Sequence, residues 1–415
     1  IRKKRTWILV LLVLLGGITF LDRINISVAG ESMMRDLHLS EKEWGWIMSI
    51  FTLSYGLMQL PMGALGDKRG HRSILSLIML WWSDFTFFTG MAGVFVSLLV
   101  IRFLFGVGEA GASPCSTGVV SRWFPKEEVG KAQGFIWAAS RMGGALTPFI
   151  VIPIVAVDWR WAFYIMGIVG CLWVVLWYLF YRNDPKQMRG ITEEELSEIP
   201  QLDVSAVESS RQKSEDAIPW RRMFTSVQFW LLLSMYFFYA FASWFFFTWF
   251  PIFMSKGRGF DQSELTYAIA VPFLMSMVGN IFGGYLTDKL TARYGLKVGR
   301  KAQGVGALVV SAIFMFLAAF IPGKMEVFIF LSLCFGVIDL MLPSAWALCI
   351  DIGKKYAGAV SGAMNTAGNL GGFVCATLFG YLVSSTGDYN LPLYCISGML
   401  VISAVLFMCI DPTKE

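Results

Sequence analysis

Long apolar runs alternate with short polar breaks along the whole chain. Positions 7–19 read WILVLLVLLGGIT, without a charge, and lead into FLDRINIS at Phe20–Ser27. A membrane-spanning helix needs about 20 consecutive apolar residues. Twelve stretches meet that need, at 6–29, 44–65, 73–93, 95–119, 130–156, 161–181, 226–254, 265–287, 302–322, 327–350, 357–384 and 391–411. Short loops join most of them. The exception is the polar stretch 182–224, which carries ITEEELSEIP and SSRQKSEDAIP and divides the spans six and six. The pattern predicts an all-α membrane protein of two six-helix bundles, 1–181 and 225–415, joined by a cytoplasmic linker at 182–224 that holds a short surface helix.

Composition strengthens the membrane assignment. Of the 415 residues, 56% are hydrophobic and 15% charged, against about 25% charged in soluble domains, and the mean hydropathy is +0.61. The seven cysteines are scattered through apolar stretches without a CxxC, and read as small core residues rather than disulfides or metal ligands. The two histidines, His38 and His71, are far apart. No metal and no cofactor are expected. The net charge of +5 is a topology signal and does not suggest nucleic acid. The first apolar run is too long for a signal-peptide core and lacks a small-residue cleavage site, so it is expected to be an uncleaved span. The chain begins without Met, and some native N-terminus is expected to precede it.

Lysines and arginines fix the expected orientation. With a cytoplasmic N-terminus the short inner segments hold 17 of them, from Arg2 to Lys355, and the outer segments hold six: Arg35, Lys42, Arg160, Lys256, Arg258 and Lys324. That asymmetry predicts both termini inside. The halves also echo one another. GALGDKRGHR at Gly63–Arg72 answers GYLTDK at Gly284–Lys289, and ASRMGG at Ala139–Gly144 answers AGNLGG at Ala367–Gly372. Offsets near 220–230 residues argue for duplication, the arrangement in which two similar bundles rock about a site at the midplane.

These residues resemble the major facilitator superfamily. Gly63, Asp67, Lys68, Gly70 and Arg72 match its loop motif between helices two and three, with Asp288 in the partial second copy. The resemblance implies a cytoplasmic gate in which the acid and the basic residues latch the two bundles. LLVIRFLFGVGEAGASP at Leu98–Pro114, with Arg102, Gly106 and Gly108, looks like a second superfamily motif. Finer features are similar to the anion:cation symporter family: Asp22-Arg23, Tyr55 and Gln59 in LSYGLMQLPMG, GEAGASP followed by SRWFP, WFFFTWFP, and MNTAGNLGG. That family includes bacterial D-galactonate and hexuronate transporters and vertebrate vesicular glutamate and sialic acid carriers. The resemblance covers essentially the whole chain.

Charges within the spans narrow the chemistry. Arg23, Arg102 and Arg141 lie there with Asp22, Asp84, Glu109 and Asp339, and Asp351 lies near a cytoplasmic end. A charge at bilayer depth costs at least about 2.5–3.5 kcal/mol, so such groups are expected to face a pathway or each other. Arg23 is the candidate anchor for a substrate carboxylate, because a guanidinium keeps its charge and offers a planar fork. A purely structural Arg23–Glu109 bridge is the alternative, compatible with the first if the bridge breaks on loading. Asp22 and Glu109 are candidate proton carriers, and the resemblance implies the same role at both. Asp84 and Asp339 are further candidates for coupling. Glu109 also stands seven residues after Arg102, two turns along one helix face, which leaves an Arg102–Glu109 pair open. By resemblance Tyr55, Gln59 and Asn365 contribute neutral hydrogen bonds to substrate hydroxyls; read alone, each serves equally well to hold helices together. Trp346 and Trp244 are candidates for an apolar wall.

Some positions depart from the galactonate-type pattern. Arg141 stands where a glutamine is expected, Phe20 replaces a tyrosine, and Asp84 and Asp339 replace neutral residues. An extra pocket cation suits a second carboxylate, or is neutralised by Asp84 or Asp339. The reading is therefore a proton-coupled symporter of the inner membrane that imports a small organic anion, foremost a sugar acid (aldonate, hexuronate or aldarate), by alternating access. A dicarboxylate or aromatic carboxylate comes second. A proton-coupled exporter and a non-transporting sensor are the rivals. An enzyme is not expected, for no nucleophile–base pair or metal cluster stands at one face. The expected partners are the anion, protons and the lipid bilayer, and the chain is expected to act as a monomer.

Overall fold

The computed structural model describes residues 3–199, 220–353 and 357–411. Its framework is twelve long helices: α1 (Lys4–Asp36), α2 (Glu41–Arg69), α3 (His71–Met91), α4 (Phe95–Trp123), α5 (Lys126–Val155), α6 (Trp159–Phe180), α7 (Val227–Thr248), α8 (Gln262–Gly295), α9 (Lys297–Phe320), α10 (Lys324–Gly353), α11 (Ala357–Thr386) and α12 (Leu391–Cys409). Eleven are long and apolar enough to cross a bilayer. The one outside that count is α2. Its 29 residues are more than long enough, but Ser49, Thr52, Ser54 and Tyr55 are buried on it. A helix that turns polar groups inward dilutes its own hydropathy, so the least apolar span is one that faces other helices rather than lipid.

Helix boundaries follow local chemistry. Ser40 accepts from the Glu43 amide, and the Glu43 side chain answers at the Ser40 amide, a capping box that starts α2. Asp261 and Glu264 repeat the device at α8. Helix α1 spans 33 residues, about 50 Å at 1.5 Å per residue, and runs further than the predicted 6–29. On α6 the exposed side chains Trp161, Ile165, Ile168, Leu172, Val175 and Leu179 follow steps of three and four, so one whole face of the helix is apolar and outward. That face fits lipid. Among the described residues the cysteines form no disulfide.

The sequence echoes acquire a structural meaning. Gly70 separates α2 from α3 at φ +88°, and Gly295 separates α8 from α9 at φ +81°, the same joint in each set of six. Positive φ is strained for any residue with a Cβ, and a Cβ on Gly70 would also strike the Asn183 side chain. Gly70→Ala is expected to destabilise the protein by about 1–3 kcal/mol, read as a lowered Tm in detergent. The second echo is a packing device. A Cβ on Gly143 would fall on the backbone of Gly17, which lets α5 close on α1, and a Cβ on Gly371 would fall on the backbone of Phe237, which lets α11 close on α7. A third echo was invisible in the sequence. Helix α4 breaks at Ala110–Gly111, just after Glu109, and α10 tightens to a 3-10 turn that begins at Asp339. Each break carries a buried acid.

The two sets of six meet where α2 packs along α11 and α5 along α8. At the end away from the termini, further contacts cross between them. Ser255 donates to Glu31, Lys256 stands 3.4 Å from Glu41, and the Tyr389 hydroxyl donates to Glu41 at 3.5 Å. At the termini end, the short helix Glu193–Glu198 docks on the first set. Glu195 accepts the amides of Lys4 and Arg5 at 2.9 and 2.8 Å, and Glu198 holds Lys3 and Arg5 at 2.6 Å each. The expected surface helix is thus a strap on the start of α1, with a carboxylate at that helix's positive end. Residues 200–219 of the linker lie outside the described residues.

Candidate functional site

Asp22 and Arg23 are neighbours in sequence but not in direction, because successive helical residues point about 100° apart. Arg23 faces the centre of the bundle, where its Nε donates to Glu109 Oε1 on α4. Its guanidinium carbon stands 4.4 Å from the Tyr55 ring centroid, 5.3 Å from that of Phe20 and 5.6 Å from that of Phe51. Asp22 turns to α3, where Trp82 Nε1 donates to it at 3.2 Å. Oδ1 of Asp22 and Oε2 of Glu109 find no partner among the described residues. Trp82 was not legible as a site residue, since nothing in WWSDF marks which tryptophan meets Asp22.

Arg23 opens onto a recess on the termini side of this cluster, which Thr19, Phe20, Tyr55, Gln133 and Ser140 also line. The Arg102–Glu109 relation is one of charge, with no hydrogen bond between the two among the described residues. Arg102 is buried, its guanidinium lies over Phe51 at 4.7 Å and Phe105 at 4.5 Å, and its Nε has no partner among the described residues. Glu109 instead takes its hydrogen bond from Arg23.

A second ion pair crosses the two sets of six. Arg141 on α5 reaches Asp339 on α10, Nη2 to Oδ2 at 2.8 Å. Asp339 is fully buried and also accepts from the Tyr239 hydroxyl at 3.1 Å and from Ser276 Oγ. Tyr239 and Ser276 were missed in the sequence; the pair Tyr236 and Tyr239, three apart on one helix face, was the available signal. Among the described residues, three guanidiniums (Arg23, Arg102, Arg141) and three carboxylates (Asp22, Glu109, Asp339) therefore sit at the centre. Unpaired charges there are costly, and balanced ones are tolerated.

The remaining candidates are placed unevenly. Asn365 Nδ2 donates to Gln59 Oε1 at 2.5 Å, so these two polar residues hold α11 to α2. Trp346 is 40% exposed. Trp244 lies 6.1 Å from Phe51 across the sets, as an edge-to-face pair. Asp84 is not brought to the cluster: it is exposed on the outer face of α3, which corrects its placement inside the bundle. Asp351 pairs with Arg300 at 2.8 Å near the termini end. Arg72 does not latch the two sets. Its Nε and Nη2 donate to the Tyr178 carbonyl at 3.1 and 2.6 Å, and its amide donates to Asn183 just beyond the end of α6. The side chains of Asp67, Lys68 and Asp288, like the surroundings of Gly63, lie outside the described ones, so the gate has no geometry here.

Comparison with known proteins places this architecture. The sequence model of the Major Facilitator Superfamily matches residues 12–376. A probable sulfoacetate transporter, SauU of Cupriavidus necator, is 36% identical over 412 residues, covering 99% of this chain and 94% of the relative. A probable L-galactonate transporter of Escherichia coli is 28% identical, covering 100% and 92%. A hexuronate transporter of Bacillus subtilis is also 28% identical, covering 97% and 94%. Among solved structures, a bacterial homologue of the human lysosomal transporter Spinster superposes with a TM-score of 0.82 at 19% identity, covering 100% of this chain and 98% of that one.

Proposed function

Because the chain belongs to the major facilitator superfamily, we propose that it is a proton-coupled symporter that imports a small organic anion by alternating access. The foremost class is a sugar acid, whether aldonate, hexuronate or aldarate, as the relatives named for L-galactonate and hexuronate suggest. The relative named for sulfoacetate adds short sulfonated carboxylates to the candidates. The relatives are transporters by name, and the chain is not an enzyme. It is a multi-pass membrane protein; the inner membrane and cytoplasmic termini are part of the proposal, which rests there on the distribution of Lys and Arg.

The observation that carries this reading is Arg23, which lines the recess and is paired behind its lining with the buried Glu109. A substrate carboxylate can replace Glu109 on the Arg23 fork, a charge-assisted exchange of one acid for another. Glu109 then loses its counter-charge in a buried place, and a proton is the cheapest way to neutralise it. Anion and proton are thereby loaded together. Arg141, Tyr55, Gln59, Asn365 and Trp346 complete the proposed substrate contacts, and Asp22 and Asp339 are the other proposed proton carriers.

Uptake into proteoliposomes tests the reading, with galactonate, glucuronate, galactarate and sulfoacetate as labelled probes. An imposed inside-alkaline pH gradient is expected to drive at least one of them above its equilibrium distribution. Accumulation that ignores the gradient would reject symport, and absence of uptake for organic anions of every kind tried would reject the substrate class.

A further inference from the structure

We propose that this site selects substrates with an anionic group at each end, Arg23 holding one and Arg141 the other. The inference rests on the organic-anion reading above and narrows it to a compact dianion.

Both guanidiniums stand beside the same ring. The Phe20 centroid is 5.3 Å from the guanidinium carbon of Arg23 and 5.7 Å from that of Arg141, which keeps the two carbons no more than about 11 Å apart; of the two arginines, Arg23 lines the recess with Phe20. The second arginine is prepared for a ligand. Its Nη2 is engaged by Asp339, but its Nη1 is buried and finds no partner among the described residues. Phe247 and Phe335 close around it at 5.9 and 6.0 Å, and these rings cannot satisfy an N–H in the plane of the guanidinium. A buried donor left unpaired is a standing penalty that an incoming oxygen relieves.

Asp339 can release Arg141 without being stranded. It keeps the Tyr239 hydroxyl and Ser276 Oγ as donors when the guanidinium turns to a substrate. Arg141 thus has a resting partner that is itself supported, and a free edge for an anion. A monoanion with a hydroxyl at its far end offers Arg141 a weaker acceptor than the carboxylate already on it. A carboxylate or sulfonate competes on equal terms, because it brings a full negative charge to the guanidinium in a buried place, where charge–charge attraction is stronger than in water. Discrimination therefore arises at Arg141 rather than at Arg23, which serves either substrate alike.

Two matched pairs of probes test this on the full chain in detergent: galactarate against galactonate, which share a six-carbon skeleton, and sulfoacetate against acetate. Binding is followed by calorimetry. In each pair that binds, the dianion is expected to be favoured by about tenfold or more, the value of one additional charge-assisted hydrogen bond. In Arg141→Gln the ratio is expected to fall to about one. The double variant Arg141→Gln/Asp339→Asn removes the ion pair as a unit, so no charge is left buried alone, and is expected to lose the ratio as well. Asp339→Asn alone should raise the ratio, since Arg141 then has no anionic competitor; a merely structural ion pair has no such effect. A monoanion bound as tightly as its dianion, or a ratio that survives both Arg141 variants, would overturn the two-ended site while the organic-anion reading stands. Failure of all four probes to bind the folded wild type would overturn the two-ended site, and failure of glucuronate and the rest of the uptake panel as well would overturn the organic-anion reading.

Discussion

Arg23→Ala is expected to abolish substrate binding and uptake, the largest effect of any single change in this protein. Three losses add up at one position. The guanidinium is the charged group at the head of the recess, hydrogen bonds to charged groups contribute about 1.5–3 kcal/mol each, and a bidentate fork supplies two. At 1.4 kcal/mol per decade that is at least about a hundredfold in affinity. The substitution also strips Glu109 of its counter-charge, and breaking a buried pair from one side costs about 3–5 kcal/mol, so the variant will be less stable even without ligand. Arg23→Lys separates the two consequences. It restores a positive charge beside Glu109 and so most of the stability, but an ammonium has no planar fork, and affinity should remain well below wild type. Thermal shift with and without the probe anions reads both quantities in one experiment. Wild-type affinity in Arg23→Ala would remove Arg23 from the site.

Glu109→Gln is expected to split transport into its parts. Glutamine keeps an acceptor oxygen for Arg23 Nε, so the cluster stays assembled and the anion still binds. It cannot take up or give off a proton. Exchange of labelled for unlabelled anion should therefore persist within a few-fold of wild type, while accumulation driven by a pH gradient should fall to the equilibrium ratio of about one. If the variant still concentrates substrate, the coupling role passes to Asp22 or Asp339. Asp84 does not inherit it, being exposed on the outer face of α3.

The helical framework was legible because the bilayer imposes it. About 20 apolar residues per crossing is a requirement that each segment meets by itself, and so the twelve helices, the six-and-six division and the glycine echoes could be read one stretch at a time. The Arg23–Glu109 pair was legible as an alternative for a related reason, since charges in an apolar run demand partners and few were on offer. What joins distant helices was not. Asp339 meets Arg141, Tyr239 and Ser276, residues from three other helices, and no local pattern ranks one partner above another. Gln59 and Asn365 read equally as ligands for hydroxyls and as ties between helices, and they are bonded to each other. The direction of Asp84 depended on the rotation of α3 about its axis. Arg72 read as part of a gate between halves, yet its reach to Tyr178 depended on where α6 ends. Local requirements are written in the sequence segment by segment; azimuth and cross-helix pairing emerge only from packing.

The balance of three guanidiniums against three carboxylates at the centre bears on membrane voltage. When all six are ionised their sum is nil, so a carrier of the proposed kind shifts no net charge as it returns empty. The electric field, which does about 2.3 kcal/mol of work per elementary charge per 100 mV, neither helps nor hinders that stroke. Cargo alone upsets the parity: a bare anion moving inward runs against an interior-negative potential, and each proton that boards with it cancels one unit of that opposition.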